Sequence, residues 1–466
     1  MTRMEDLDGQ PAKLGLARII AYGSGDFAFN LTFSFASLFL LYFYTDVLGL
    51  SGTAAGLIIM IALVWEGLTD PIAGLIANRT SSRWGRYRPY LLFGTIPLVI
   101  SFSLMFLPLG LSGAALVAYA AVTHLVYRTV FTFVNVPYIA LSAQMTSDSM
   151  VRGQIAGTRM IFAILCGIML SALTLPLVKS FGGGVEGFFK LSLIYSVLAA
   201  AVLFLCFVST SEAQSTTDDR HPSLGEMFDS VRRNRAFLLL LGATVLGAVA
   251  FTMSNKALVY YMKYVVGSEA AVTKGLLATL VTAAVAMVPW IMVTKRTSKR
   301  AVWMSGAAIT SLALILIYVL RPEEGPTLWT LVALTGVGNA AFILTFWSML
   351  PDTVEFGEWK TGTRAEGAIM GLTLFSQKIA LGVGTGMIGI LLDVIGYVPN
   401  RAQNSETLHG MLLLYTLVPT ALFVGAATII AFYPLDRRTH ERIVRVVERK
   451  RHRGPTNSSF RSVIER

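Results

Sequence analysis

Apolar runs of roughly 20 residues, each long enough to cross a hydrocarbon layer about 30 Å thick, recur along the chain between short polar breaks. They begin near residues 16, 52, 89, 114, 153, 186, 237, 270, 301, 326, 364 and 409, and predict an all-α membrane protein with twelve transmembrane helices. One break stands out. Residues 212–236 are polar and carry a dense mix of acidic and basic side chains, so six spans fall on either side. The expected organisation is an N-terminal six-helix half (1–211), a loop between halves (212–236), a C-terminal six-helix half (237–435) and a basic tail (436–466).

Composition reinforces the pattern. Hydrophobic residues make up 54% and charged residues 14% of 466 positions, with a mean hydropathy of +0.64; soluble domains are nearer a quarter charged. The bilayer is therefore the expected solvent. Placing the N-terminus in the cytoplasm puts 29 of the 38 Lys and Arg on that side, six in the opposite loops and three, Arg128, Lys256 and Lys378, within spans. By the positive-inside rule both termini are expected to be cytoplasmic, in a membrane of the bacterial inner type. The net charge of +11 then reflects topology, and the tail from Arg437 to Arg453 suits anionic lipid headgroups rather than nucleic acid. The first apolar stretch already holds Asp26 and Asn30 with no small-residue cleavage pattern after it, unlike a removable signal peptide. Cys166 and Cys206 lie in apolar runs and read as buried thiols, not a disulfide. No phosphate-binding glycine loop, zinc-ligand spacing or Ser/His/Asp arrangement stands out, so neither enzyme chemistry nor an organic cofactor is expected.

An ionisable group inside a span costs at least a few kcal/mol and marks a candidate site. In the second span Glu66 and Asp70 are four residues apart, on one face of a helix. Two such carboxylates in low dielectric repel unless a cation or a proton lies between them. The first span repeats the spacing with Asp26 and Asn30, and the fourth offers Arg128, Thr132 and Asn135. An Asp26–Arg128 ion pair would neutralise both charges. Lys378 sits deep in the eleventh span, whereas Lys256 has Tyr260, Tyr261 and Lys263 close by, as at an aqueous boundary.

The segments YGSGDFAFN (22–30), YFYTDVLGL (42–50), WEGLTDPIAGLIANRT (65–80), RWGRYRPY (83–90), VNVPYIAL (134–141) and LPDTVEFGEWKTGTRAEG (350–367), with the stretch around Lys378, resemble the glycoside-pentoside-hexuronide:cation symporters, the melibiose permease-like sugar family. The resemblance runs in order from about residue 16 to 432. It implies a major facilitator fold of two six-helix halves and uptake of a sugar, glycoside or hexuronide coupled to Na⁺ or H⁺. Carried over by position, Glu66 and Asp70 would hold the cation with Thr132 as a hydroxyl contributor, so that Na⁺ is a possible ligand of the two carboxylates. Asn30 and Asn135 match positions where family carboxylates grip sugar hydroxyls; as amides they both donate and accept, and remove two negative charges. Asp26, Arg128, Tyr138 and Lys378 complete the implied substrate set. Ile139 replaces an aromatic residue expected against the sugar face, with Tyr138 adjacent, which counts against galactoside specificity; fewer acids with Lys378 and Arg128 retained favour a uronide or other anionic glycoside over a neutral disaccharide. Arg83, Arg86 and Arg88 after the second span, and Asp352, Glu355, Glu358 and Arg364 near the end of the tenth, would form a cytoplasmic gate of opposite charges. Two alternatives remain at this level: transport of a lipid or other amphiphile by the same fold, and a membrane sensor that binds without moving its ligand. The Glu66/Asp70 pair argues against the sensor.

Overall fold

The computed structural model describes residues 15–146, 149–212, 224–363 and 365–453. Leu16–Tyr42 (α1), Gly52–Arg79 (α2), Arg88–Leu104 (α3), Gly113–Met145 (α4), Ser149–Ser180 (α5) and Gly184–Ser209 (α6) come first. A short helix, Leu224–Arg233 (α7), precedes Arg235–Tyr260 (α8), Glu269–Arg296 (α9), Lys299–Leu320 (α10), Pro326–Thr361 (α11) and Glu366–Val394 (α12). Ser405–Tyr415 (α13), Leu417–Ala431 (α14) and Arg437–Arg453 (α15) close the chain. Eleven described spans are long and apolar enough to cross a membrane, and α3 is a shorter apolar helix. These match the twelve expected runs. The last run is broken at Thr416 between α13 and α14, because Pro419 has no N–H to give the Tyr415 carbonyl four residues back.

Side-chain caps fix several helix starts. Ser51, Ser268 and Ser298 accept the backbone N–H three residues on, as do Asn234 and Asn404. The caps expose an internal repeat that hydropathy alone does not show. α1 and α8 each run on into a π turn, Phe43–Val47 and Tyr261–Val265. Each turn is followed by a left-handed glycine, Gly49 at φ 73° or Gly267 at φ 78°, and then by a capping serine, Ser51 or Ser268. Likewise Arg79-Thr80-Ser81 follows the body of α2, and Arg296-Thr297-Ser298 that of α9.

Contacts cluster into two compact units, one from the first part of the chain to residue 218 together with 385–402, the other from 219–384 with 403 onward. In the first unit α1 packs on α5 and α6, α2 on α4, and α3 on α4 and α6. Phe35 centres an aromatic core with Phe102, Phe106, Phe188 and Tyr195 at ring separations of 5.2–6.1 Å. The end of α12 belongs to this unit. There Gly389 meets Gly52 so closely that a Cβ on it would lie 2.2 Å from the Gly52 carbonyl oxygen. The Asp393 carboxylate accepts the N–H groups of Gly52 and Thr53, both at 2.8 Å, and Tyr397 donates to Asp46 at 2.7 Å. In the second unit α11 packs on α8, α9 and α10, and α14 on α8 and α10. Ile443 and Val447 of α15 join the buried cluster of Phe237, Trp303, Phe346 and Leu350.

Candidate functional site

Two polar clusters lie within the first unit, both including residues of α4. The first gathers around Asp26, in the third turn of α1. Its carboxylate is gripped by Arg159 of α5 through Nε and, at 3.3 Å, through Nη2. The Tyr138 hydroxyl of α4 lies 3.1 Å from Asp26 Oδ2 and 2.8 Å from the Tyr22 carbonyl, so one proton is shared between two acceptors. Tyr22 in turn donates to the Tyr138 carbonyl at 2.5 Å, and the two rings stack 4.6 Å apart. Gly25 makes this approach possible: a Cβ there would lie 2.6 Å from the Tyr138 ring. The Arg159 guanidinium also covers that ring at 5.2 Å.

One turn along α1, Asn30 donates to the Asp26 carbonyl and accepts from Ser34, each at 2.8 Å. That leaves one amide N–H and one lone pair for other use. Asn135 of α4 is half-buried, and its amide hydrogen-bonds to no described group.

The second cluster joins the middle of α2 to α4. Glu66 and Arg128, 0% and 1% exposed, form an ion pair at 2.9 Å. Arg128 Nε donates to His124 Nε2 at 3.0 Å, which requires that nitrogen to be an acceptor and hence the imidazole to be neutral. The rings of Phe33 and Tyr127 lie 4.8 and 5.5 Å from the guanidinium. One turn on, Thr132 donates to Asp70 Oδ1 at 2.9 Å, and Trp65 Nε1 donates to Thr129 at 2.9 Å, fastening α2 to α4.

Several expectations change. Asp26 and Arg128 do not pair: each meets a different partner, Arg159 and Glu66. The helix rotations decide this, setting Arg128 over α2 and Asp26 toward α5. Arg159, read from the sequence as one of the basic residues flanking a span, lies in the third turn of α5, which starts at Ser149. Its signal was its place beyond residue 153, where the fifth apolar run begins. Lys256 is buried, near the end of α8. Lys378 lies half-buried in α12, within the second unit.

Several of the gate residues have partners inside their own units. Glu212, overlooked in the sequence, accepts the backbone N–H groups of Arg86, Tyr87 and Arg88 at 2.6, 2.7 and 2.9 Å. Arg88 donates to the Phe207 carbonyl, and Arg83 lies over Trp84. Asp352 pairs with Lys299 at 2.7 Å, and Glu355 with His440 at 2.6 Å. Glu358 lies in the last turn of α11, while Arg364 is outside the described residues. The acidic group thus has a local role in its own unit, whatever it does elsewhere.

Eleven described spans and one shorter apolar helix are those of a polytopic membrane protein, and its first unit holds buried, mutually neutralised charges. The family described as MFS/sugar transport protein matches residues 21–437. The chain is 31% identical over 446 residues to an uncharacterized symporter, YnaJ, of Bacillus subtilis, covering 94% of this chain and 96% of that one. It is 30% identical to a glucuronide carrier protein homolog of Escherichia coli (94% and 97% covered), and 29% identical to an isoprimeverose transporter of Lactiplantibacillus pentosus (90% and 88%). Among solved structures, a bacterial homolog of the human lysosomal transporter Spinster superposes with a TM-score of 0.71 at 13% identity over 93% of this chain and 99% of that one. The nucleoside transporter NupG gives 0.64 at 13% over 89% and 100%. The chain belongs to the MFS/sugar transport protein family and has the major facilitator fold.

Proposed function

We propose that this chain is a cation-coupled symporter that carries a glycoside or hexuronide across a bacterial-type inner membrane by alternating access, with both termini in the cytoplasm. The observation that carries this reading is the pair of polar clusters sharing α4. One, with Asp26, Arg159, Tyr138 and the amides of Asn30 and Asn135, offers the donors and acceptors that sugar hydroxyls need. The other, with Glu66, Asp70, Thr132 and Arg128, holds the charges that respond to a cation. Binding at one cluster shifts α4 for the other, and linkage requires the effect to be reciprocal.

The substrate class follows from charge. Arg159 already offsets Asp26 and the two amides add no charge, so this cluster tolerates an anionic sugar better than a set of carboxylates would. The name of the glucuronide carrier homolog agrees with that direction. Uptake of radiolabelled glycosides and glucuronides into proteoliposomes tests the reading. Accumulation above equilibrium under a cation gradient is expected, strongest for a uronide. No uptake of any glycoside under any gradient would sink it.

A further inference from the structure

The sequence resemblance implies that Na⁺ can sit between Glu66 and Asp70. The residues present do not fit that ion. We propose that Arg128 is a resident counter-cation for Glu66, so that Glu66 is not a ligand of an exchangeable metal ion and transport is not driven by Na⁺. This rests on the reading of the chain as a cation-driven carrier and sharpens it.

The guanidinium keeps its charge at any accessible pH. It is buried and occupies Glu66 Oε2 through Nη1, while its Nε is held by His124 and its flanks by the rings of Phe33 and Tyr127. With Arg128 in place Glu66 is already neutralised, and the charge left to balance here is that of Asp70. Displacing Arg128 would strand a buried guanidinium. What remains of the expected set is Asp70 with the Thr132 hydroxyl. Hard cations collect about six oxygen ligands.

A proton needs no coordination shell, and is the driving ion that this arrangement admits. The ionisable groups gathered here include Glu66 and Asp70 of α2, His124, Tyr127 and Arg128 of α4, and Tyr44 beyond α1.

Equilibrium binding of radiolabelled Na⁺ to the purified full chain tests the proposal without needing a known sugar. Wild-type protein is expected to show no saturable binding, and Arg128→Ala, which frees Glu66, is expected to gain it. In proteoliposomes, an acid-outside gradient is expected to drive uptake, and a Na⁺ gradient at constant pH to have no effect. Saturable Na⁺ binding by the wild type that Glu66→Gln removes overturns the proposal, whether or not the Arg128 variant folds. Failure of the transport reading would show separately, as absence of uptake under every gradient, with the Na⁺-binding result still standing.

Discussion

At the scale of single residues, an arginine and a glutamate buried in mid-span persist together only because each cancels the other. Removing one partner of a buried pair costs about 3–5 kcal/mol, whereas replacing both with apolar side chains is often neutral. Glu66→Ala should therefore destabilise the purified protein by about that amount, and Glu66→Met with Arg128→Leu should recover most of it. Heat or denaturant unfolding in detergent checks this, and a double variant no better than the single one contradicts the pairing. Among the described residues Asn135 has no competing hydrogen-bond partner, so its loss should be felt by the substrate rather than the fold. Asn135→Ala should weaken substrate binding by about 1–3 kcal/mol at unchanged melting temperature. Direct binding titration measures it. Asp26, Asn30, Glu66, Asp70, Arg128 and Lys378 were legible because a polar residue is conspicuous in an apolar run. Their pairing was not, since it depends on the rotation of each helix about its axis. Arg159 escaped notice for a different reason: it lies near the start of the fifth apolar run and was counted with the basic residues of the preceding loop.

At the scale of elements, hydropathy located the spans to within a few residues, and it failed where geometry is set by local hydrogen bonding. The π turns after α1 and α8 carry no hydropathy signal, nor does the split at Thr416. The long-range cap on α2 was equally hidden. Asp393 supplies a carboxylate to the free N–H groups of Gly52 and Thr53, where the helix dipole favours negative charge. Asp393→Ala should cost about 0.5–2 kcal/mol, by analogy with loss of an ordinary cap. Asp393→Asn, which still accepts hydrogen bonds, should cost less. Unfolding midpoints of the two variants decide this, and equal losses would mean that the charge alone matters. The tail helix α15 shows the opposite balance. Its basic residues were plain from the sequence, but its docking through Ile443 and Val447 into the second unit was visible only once α11 was in place.

At the scale of the molecule, the count of spans and the family were legible from periodicity and from the second-span and 350–367 segments. The membership of residues 385–402 in the first unit was not, because connectivity follows the chain and contacts do not. The charge distribution predicts that a reporter fused after residue 223 or at the C-terminus is cytoplasmic, and one inserted near residue 404 is periplasmic. A tail found outside would overturn the orientation. The central claim is that substrate recognition and ion coupling reside in separate clusters that share α4. Asp70→Asn examines it most directly, since it removes a charge from the coupling cluster while leaving Asp26, Arg159, Tyr138 and Asn135 untouched. The decisive measurement compares gradient-driven accumulation with substrate exchange in proteoliposomes holding equal amounts of the wild type and this variant. The account predicts that the variant loses accumulation and retains exchange; wild-type accumulation by Asp70→Asn would contradict it.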